Sequence, residues 1–278
     1  MPIFNRLSNI YRRRGFSISA GLNPSHFKNF RAASFTWLVK ENRSHTDGLG
    51  ISPQEIYFLE CLFEEFSPRN IFIIGNSFGW STFAISLLNS TANIVAIDSG
   101  FSKNSLSGID FTNKTAKEEN LLNVLALQAT SPENVEDVVK SRFEGPIDFV
   151  FIDAMHTNEN ILLDFTALQP LSAENCVFLI HDVHQHDLHK GFGRIKNEVD
   201  GIATTILGTT SGMGIVCKGE PPPGVLKTIE AFSADETAIS VLNEEINKLK
   251  HRRLKKCRDS FRKRILFFRG LFGKSDDA

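Results

Sequence analysis

Two stretches near the middle of the chain each end an apolar run with an acid and a histidine. The first, IDFVFIDAMH, closes on Asp153 and His156; the second, CVFLIHDVHQHD, carries His181, Asp182 and His184. Unbroken apolar runs of this length mark parallel strands covered on both faces, and ligands bind at the carboxyl ends of such strands. The spacing therefore predicts that Asp153, His156, His181, Asp182 and His184 converge on one crevice. Carboxylate beside imidazole can accept a proton from a reacting hydroxyl, and paired carboxylates can hold a hard cation.

A second chemical feature lies upstream, where NIFIIG runs into Gly75-Asn76-Ser77-Phe78-Gly79-Trp80-Ser81-Thr82 and then into a helical pattern. Glycine at such a bend permits positive φ and lets a ligand approach the backbone. Several readings of it are open. A dinucleotide loop would need glycine where Ser77 and Trp80 stand, and these side chains crowd the place of a pyrophosphate. A nucleophile elbow, G-x-S-x-G, is satisfied literally by residues 75–79. Ser77 would then be the nucleophile of an α/β hydrolase, with Asp153 or Asp182 and a later histidine completing its triad. Residues 1–69, however, show neither the series of strands nor the His-Gly loop which that fold places upstream.

The elements that must position these groups alternate. Strand patterns at 70–75, 93–98, 123–128, 147–153 and 176–182 are separated by helical patterns near 80–88, 112–122, 132–140 and 159–168. This predicts an α/β fold with a doubly wound, mostly parallel sheet. Runs at 203–208 and 212–219, after a helix near 190–199 and joined by a Thr-Thr-Ser-Gly turn, predict an antiparallel edge. Ser52-Pro53-Gln54-Glu55 reads as a helix start, serine as cap and proline at the first helical position. The expected organisation is a basic, irregular arm over 1–50, a catalytic domain over 51–220, and a basic helical extension over 221–278.

From Ser52 to Gly219 the sequence resembles the class I S-adenosylmethionine-dependent methyltransferases, in particular their small-molecule and sugar O-methyltransferase branch with an FID-x-x-H strand end. ISPQEIYFLECLF is similar to the lead-in helix of that family, IIGNSFGWST to its glycine-rich first motif, and AID to its second-strand acid. FVFIDAMHTNENILLDF resembles its fourth strand and helix, FLIHDVH its fifth strand, and GMGIVCKG its closing strand. Ile73 stands where the family usually has an acid. The resemblance implies a Rossmann-like fold and S-adenosylmethionine as cofactor. It implies that Gly75, Asn76, Ser77 and Gly79 line the methionine and ribose side, that Asp98 accepts from the ribose hydroxyls, and that Thr130 and Ser131 neighbour the adenine. Asp153 and His156 then stand where a base and an acceptor-binding group belong, with Asp182 opposite. Asp153 and Asp182 together would suit Mg²⁺. The implied acceptor is a hydroxyl of a sugar or another small polar metabolite. A non-catalytic assembly protein built on the same fold is the other alternative.

Composition narrows the setting. The 278 residues are 41% hydrophobic, enough for a full core, and the formal net charge is only −1. That balance hides an asymmetry. Residues 1–40 hold seven Lys/Arg and no acid, residues 246–278 hold twelve against three acids, and the remainder holds twelve against twenty-nine. A basic end can dock on anionic lipid or on the acidic body of the chain itself. In 246–278, apolar residues recur at three- and four-residue steps among Lys and Arg, which suits a helix packed on the core, a homo-oligomer contact or peripheral attachment to an anionic membrane, and points less to nucleic acid. Cys61, Cys176, Cys217 and Cys257 lack paired spacing and read as the reduced thiols of a cytoplasmic protein. His181, His184, His186 and His189 lack the spacing of a structural zinc site, and His26, His45 and His251 are expected at the surface.

Overall fold

The computed structural model describes residues 2–21, 34–46, 49–101, 103–233, 237 and 239–252. His26 and most of the basic segment 246–278 lie outside them. The first fifty residues, expected as an irregular arm, are folded where described. Helix α1 (Ile3–Arg12) buries Ile3, Leu7, Ile10 and Tyr11, a stripe of the i, i+4, i+7, i+8 kind, and turns its arginines outward. Strands β1 (Ser17–Ser19), β2 (Trp37–Lys40) and β3 (Arg43–Ser44) follow as an antiparallel sheet in that order. Arg14 reaches Glu118 and Glu119, each at 2.7 Å, so the basic amino end docks on acids of the chain's own body.

Helix α2 (Pro53–Glu65) starts as predicted, with a capping box: Ser52 Oγ accepts from the Glu55 amide and the Glu55 carboxylate accepts from the Ser52 amide. Then come β4 (Asn70–Ile74), α3 (Trp80–Leu88), β5 (Asn93–Asp98), α4 (Lys103–Glu118), β6 (Val124–Gln128), α5 (Val135–Arg142), β7 (Ile147–Ile152), α6 (Asn158–Leu168) and β8 (Ser172–Ile180). The remaining elements are α7 (His189–Glu198), β9 (Gly201–Ile206), β10 (Met213–Lys218) and α8 (Pro223–Phe232). The seven-stranded sheet runs β6-β5-β4-β7-β8-β10-β9, with β10 antiparallel to both neighbours. Residues of α1, α2, α3 and α8 share one buried cluster, and those of α5, α6 and α7 another on the opposite face. Burial on both faces is why the central strands are apolar at nearly every position.

Two of the departures from the expected boundaries stand out. Helix α4 begins nine residues before the predicted 112, because the close approach of Gly108 to the Ser77 carbonyl seats a polar segment that by composition alone would not be called helical. A Cβ on Gly108 would stand 2.1 Å from that oxygen. Helix α8 packs on α2, its final Phe232 ring 5.1 Å from that of Phe58, and so belongs with the main body rather than with a terminal extension. The chain divides into compact units 1–233 and 234–278; the described residues 239–252 of the second are helical.

The fully buried Tyr11 donates from its hydroxyl to the carbonyl of Phe78, at 2.7 Å, pinning the glycine-rich loop from α1. Replacing Tyr11 by Phe strands that carbonyl away from water, so the unfolding midpoint in urea is expected to fall by the equivalent of about 1–3 kcal/mol with an unchanged m-value. Tryptophan fluorescence measures it, and an unchanged midpoint would show that the bond contributes nothing.

Candidate active site

Strand register builds the site. β4 pairs in parallel with β5 at Ile74–Ile97 and with β7 at Ile74–Ile152, and β7 pairs with β8 at Ile152–Ile180. The next residues, Gly75, Asp98, Asp153 and His181, therefore stand in one row along the carboxyl edge. Backbone bonds continue the ladder through it, from Gly75 N to Ile97 O, Asp153 N to Ile74 O and His181 N to Ile152 O. Chain order reverses on the two sides of β4, the place where open α/β sheets leave a crevice. A cavity of about 670 Å³ opens there, within the ~300–1,000 Å³ usual for small-ligand sites.

One end of the cavity is the glycine loop. Gly75 takes φ 100°, and a Cβ there would meet the Asp153 carbonyl oxygen at 1.8 Å, so only glycine lets the loop lie against β7. Asp98 Oδ2 accepts from the Ser77 amide at 2.8 Å and Oδ1 from the Gly100 amide at 3.1 Å. Its carboxylate is thereby held at the cavity wall with lone pairs left for a ligand's hydroxyls. Asn76 and Ser77 line the cavity as well. Gly79 does not. It caps α3 with its open side against Thr112, and its part is to shape the loop. Among the described residues no hydrogen bond joins Ser77 to a histidine, so the hydrolase triad is not assembled around it.

At the other end Thr130 and Ser131 line the wall. Thr130 is tied to Asn134, and Ser131 Oγ donates to Asp164 Oδ1. Asp164, on α6, escaped the sequence reading. It is an acid on the stripe of Ile161, Phe165 and Leu168, and burial pushes its carboxyl up to about 6. His45, expected at the surface, instead lines the cavity with its ring 4.6 Å from that of Phe78.

The acid and histidine cluster closes the floor. His156 Nε2 lies 3.4 Å from Asp153 Oδ1 and 3.1 Å from Asp182 Oδ2. His181 Nδ1 lies 3.2 Å from each of the same two carboxylates, while its Nε2 faces Glu55 Oε2 at 3.3 Å. Glu55 is a fully buried acid that the sequence shows only as part of a helix start. Its Oε1 accepts from the Ser211 amide. Asp182 is turned inward by a left-handed backbone, φ 61°. His184 does not join the cluster: it is exposed, against His189. His186 takes that place, stacked on His156 at 4.4 Å and 3.6 Å from Asp182 Oδ2.

Electrostatics follow from this packing. Burial alone would raise the Asp153 and Glu55 carboxyls, yet the His181 ring beside both holds each below its ordinary range. Burial alone would lower His181 and His156, yet the facing carboxylates, Asp153 first, raise both. Both ring nitrogens of His181 and Oδ1 of Asp182 are nonetheless buried without a hydrogen bond of proper geometry among the described residues. Asp153, His156, His181 and Asp182 each bring one ligand atom within 4.8 Å of the others, an arrangement that fits a cation.

Residues 72–183 match a family model described as a methyltransferase domain, and the sheet just described has the order of a Rossmann-like methyltransferase fold. No curated protein matches the sequence. Among solved structures the chain is similar to an O-methyltransferase from Bacillus cereus in complex with SAH, with 21% identity over 61% of this chain and 81% of that one, TM-score 0.49. It is similar to the O-methyltransferase TomG from Streptomyces achromogenes, involved in tomaymycin synthesis and in complex with SAM, with 16% identity over 62% and 83%, TM-score 0.49. Spermidine synthase from Thermotoga maritima follows, with 17% identity over 72% and 71%, TM-score 0.47.

The buried Asp164 makes stability depend on pH in a definite sense. Its folded carboxyl titrates near 6, above the ~3.9 of an unfolded chain, so the contribution of the protonated form is complete below about pH 4 and is lost as pH rises through about 6. Asp164→Asn cannot ionise, and should exceed the parent in stability above pH 6 by on the order of 1–3 kcal/mol, the gap closing below pH 4. Urea melts of both proteins across pH 4–8 test this; parallel curves would place the Asp164 carboxyl at an ordinary value.

Proposed function

We propose that the protein transfers the methyl group of S-adenosylmethionine to a hydroxyl of a sugar or another small polar metabolite. The observation that supports this reading is that one cavity holds both a carboxylate fixed for a vicinal diol, Asp98, and an acid and histidine pair, Asp153 and His156. In this reading Asp98 accepts from the ribose hydroxyls, the Asn76 and Ser77 backbone bends around the methionine end, and Thr130, Ser131 and Asp164 border the base. The sulfonium supplies an electrophilic methyl carbon. The chain's own task is to align the acceptor oxygen with that carbon, to keep water out, and to help remove the hydroxyl proton as the new bond forms. Asp153 and His156 are the groups placed for the proton. A divalent cation held by Asp153 and Asp182, Mg²⁺ if carboxylates alone bind it, would make the hydroxyl more acidic.

Among the described residues no helix is long and apolar enough to cross a membrane. For the basic segment 246–278 the sequence supports peripheral contact with an anionic surface, each Lys or Arg adding about 1 kcal/mol there. Vesicles containing phosphatidylserine should sediment the full chain and leave behind one lacking 246–278; equal sedimentation of both would end that reading.

For the cofactor the test is calorimetric titration with S-adenosylhomocysteine. The parent protein is expected to bind it, and Asp98→Ala to bind it about 10–100-fold more weakly, the loss of charged hydrogen bonds to a diol. Absence of binding by the parent at millimolar ligand would overturn the assignment, as would an Asp98→Ala variant that stays folded and binds equally well.

A further inference from the structure

We infer that His45 binds the carboxylate at the methionine end of the cofactor, so that the amino-terminal segment supplies one of the ligand's own contacts. The inference rests on the S-adenosylmethionine reading above and deepens it. Position, charge and an unpartnered ring carry it.

In that reading Asp98 takes the ribose hydroxyls and Thr130, Ser131 and Asp164 border the base, so the methionine end runs the other way, past the glycine bend. The cavity walls there are Phe78, Trp80 and Ser81 on one side and His45, Thr46 and Gly50 on the other. The His45 ring stands 4.6 Å from that of Phe78, and a Cβ on Gly50 would come within 3.3 Å of Trp80 Cδ1, so the two walls touch.

S-adenosylmethionine ends in an ammonium and a carboxylate. The acids Asp98, Glu133, Asp153 and Asp164 line the cavity, and among the described residues no Lys or Arg does. The ammonium thus meets an acidic wall, whereas a carboxylate brought there is repelled unless a donor faces it. Only His45 and His156 among the described lining residues can become positively charged at neutral pH. His156 is engaged by Asp153 and Asp182. Other donors near the bend are spent within the protein: Thr46 Oγ1 on the Thr36 carbonyl, Trp80 Nε1 on the Ile51 carbonyl, and Asn76 Nδ2 on the Ser77 carbonyl and Thr112 Oγ1. Ser77 and Ser81 offer neutral hydroxyls.

The His45 ring is held but not satisfied. Its amide donates to the Leu38 carbonyl at 2.8 Å, and the ring lies edge to face with Phe16 at 5.2 Å as well as with Phe78. Nδ1 is buried with no hydrogen-bond partner, which leaves Nε2 as the nitrogen for a ligand. A ring fixed by packing before the ligand arrives loses little freedom on binding it, and a hydrogen bond to a carboxylate is of the stronger, charge-assisted kind.

The test titrates the full chain by calorimetry with S-adenosylhomocysteine and with its decarboxylated form, which keeps the amine and lacks only the carboxylate. The parent is expected to bind the first about 10–100-fold more tightly, the worth of a hydrogen bond to a charged group. His45→Phe keeps a ring against Phe16 and Phe78 but has no donor. It should weaken S-adenosylhomocysteine about 10–100-fold and leave the decarboxylated ligand within about twofold of the parent value. His45→Gln, which retains an N–H donor, should recover part of the loss, and His45→Leu replaces the Phe variant should that one fail to fold. Three results would each overturn the inference: both ligands weakened alike, which is a packing effect; S-adenosylhomocysteine bound by His45→Phe as by the parent; or a parent that binds the two ligands equally. In each of these, S-adenosylhomocysteine binding that still depends on Asp98 leaves methyl transfer standing. A parent that binds neither ligand removes both readings.

Discussion

A histidine ring buried between three carboxylates is the constraint on which the rest of this structure depends. Taking ions out of water costs several kcal/mol each even after relaxation, and here Glu55, Asp153 and Asp182 surround His181 at the end of an otherwise apolar sheet. They stay together because each is fixed by a different element. Glu55 comes from the first turn of α2 and is bonded to the turn between β9 and β10 through Ser211. Asp153 continues β7, and Asp182 follows β8 on a left-handed residue. The antiparallel edge, the lead-in helix and the two central strands are therefore coupled through one side chain. Removing a single member would leave buried charge uncompensated, which is costlier than never having placed the group there.

The glycine loop obeys the same logic from the other side of β4. A loop that must present backbone and carboxylate to a ligand gains from being held before the ligand arrives. Tyr11 bonds the Phe78 carbonyl, Trp80 Nε1 donates to the Ile51 carbonyl, and Asn76 is bonded to Thr82 and Thr112. Three of the partners come from outside the loop and its helix: α1, the segment before α2, and α4. The amino-terminal fifty residues thus support the bend as well as covering it. Aromatic packing of Tyr11, Phe16, Phe78 and Phe111 at 5.4–6.2 Å between centroids adds to that support.

The central sheet and its polar edge were legible because both rest on local rules. Apolar runs ending in Gly75, Asp98, Asp153 and His181 must end level with one another once the strands pair in parallel, so the grouping of Asp153, His156, His181 and Asp182 followed from sequence spacing. What was not legible depended on long-range contact. Helix α1 carries a readable apolar stripe, but its Arg, Asn and Ser content masks it, and only docking on α3 and on Glu118 and Glu119 explains why it folds. Glu55 stood in the sequence only as the last residue of a helix start, and its second contact, to a residue more than a hundred positions away, left no local trace. His184 and His186 were exchanged for a simple reason. Beyond Asp182 the chain is no longer a strand: the His186 amide bonds back to the Asp182 carbonyl, and that turn brings His186 over the cluster while His184 leaves it.

The cavity joins a charged floor to an apolar rim, and the two are not independent. Phe101, Met155 and Leu49 line it while remaining 98%, 61% and 55% exposed. Large apolar side chains kept in water forgo roughly 25 cal/mol for every Å² that burial would cover, so a ligand seated against them recovers free energy that no intramolecular contact supplies. Under the methyl-transfer reading that recovery and the electrostatics of the floor reinforce each other. Covering the rim removes water from above Asp153 and His156, and charge interactions strengthen as the effective dielectric falls. An exposed hydroxyl acceptor alone would leave the floor wet; an occupant that also spans the apolar rim would seal it. The rim thereby ties ligand size to the strength of the contacts below, and the register of β4, β5, β7 and β8 sets where those contacts stand.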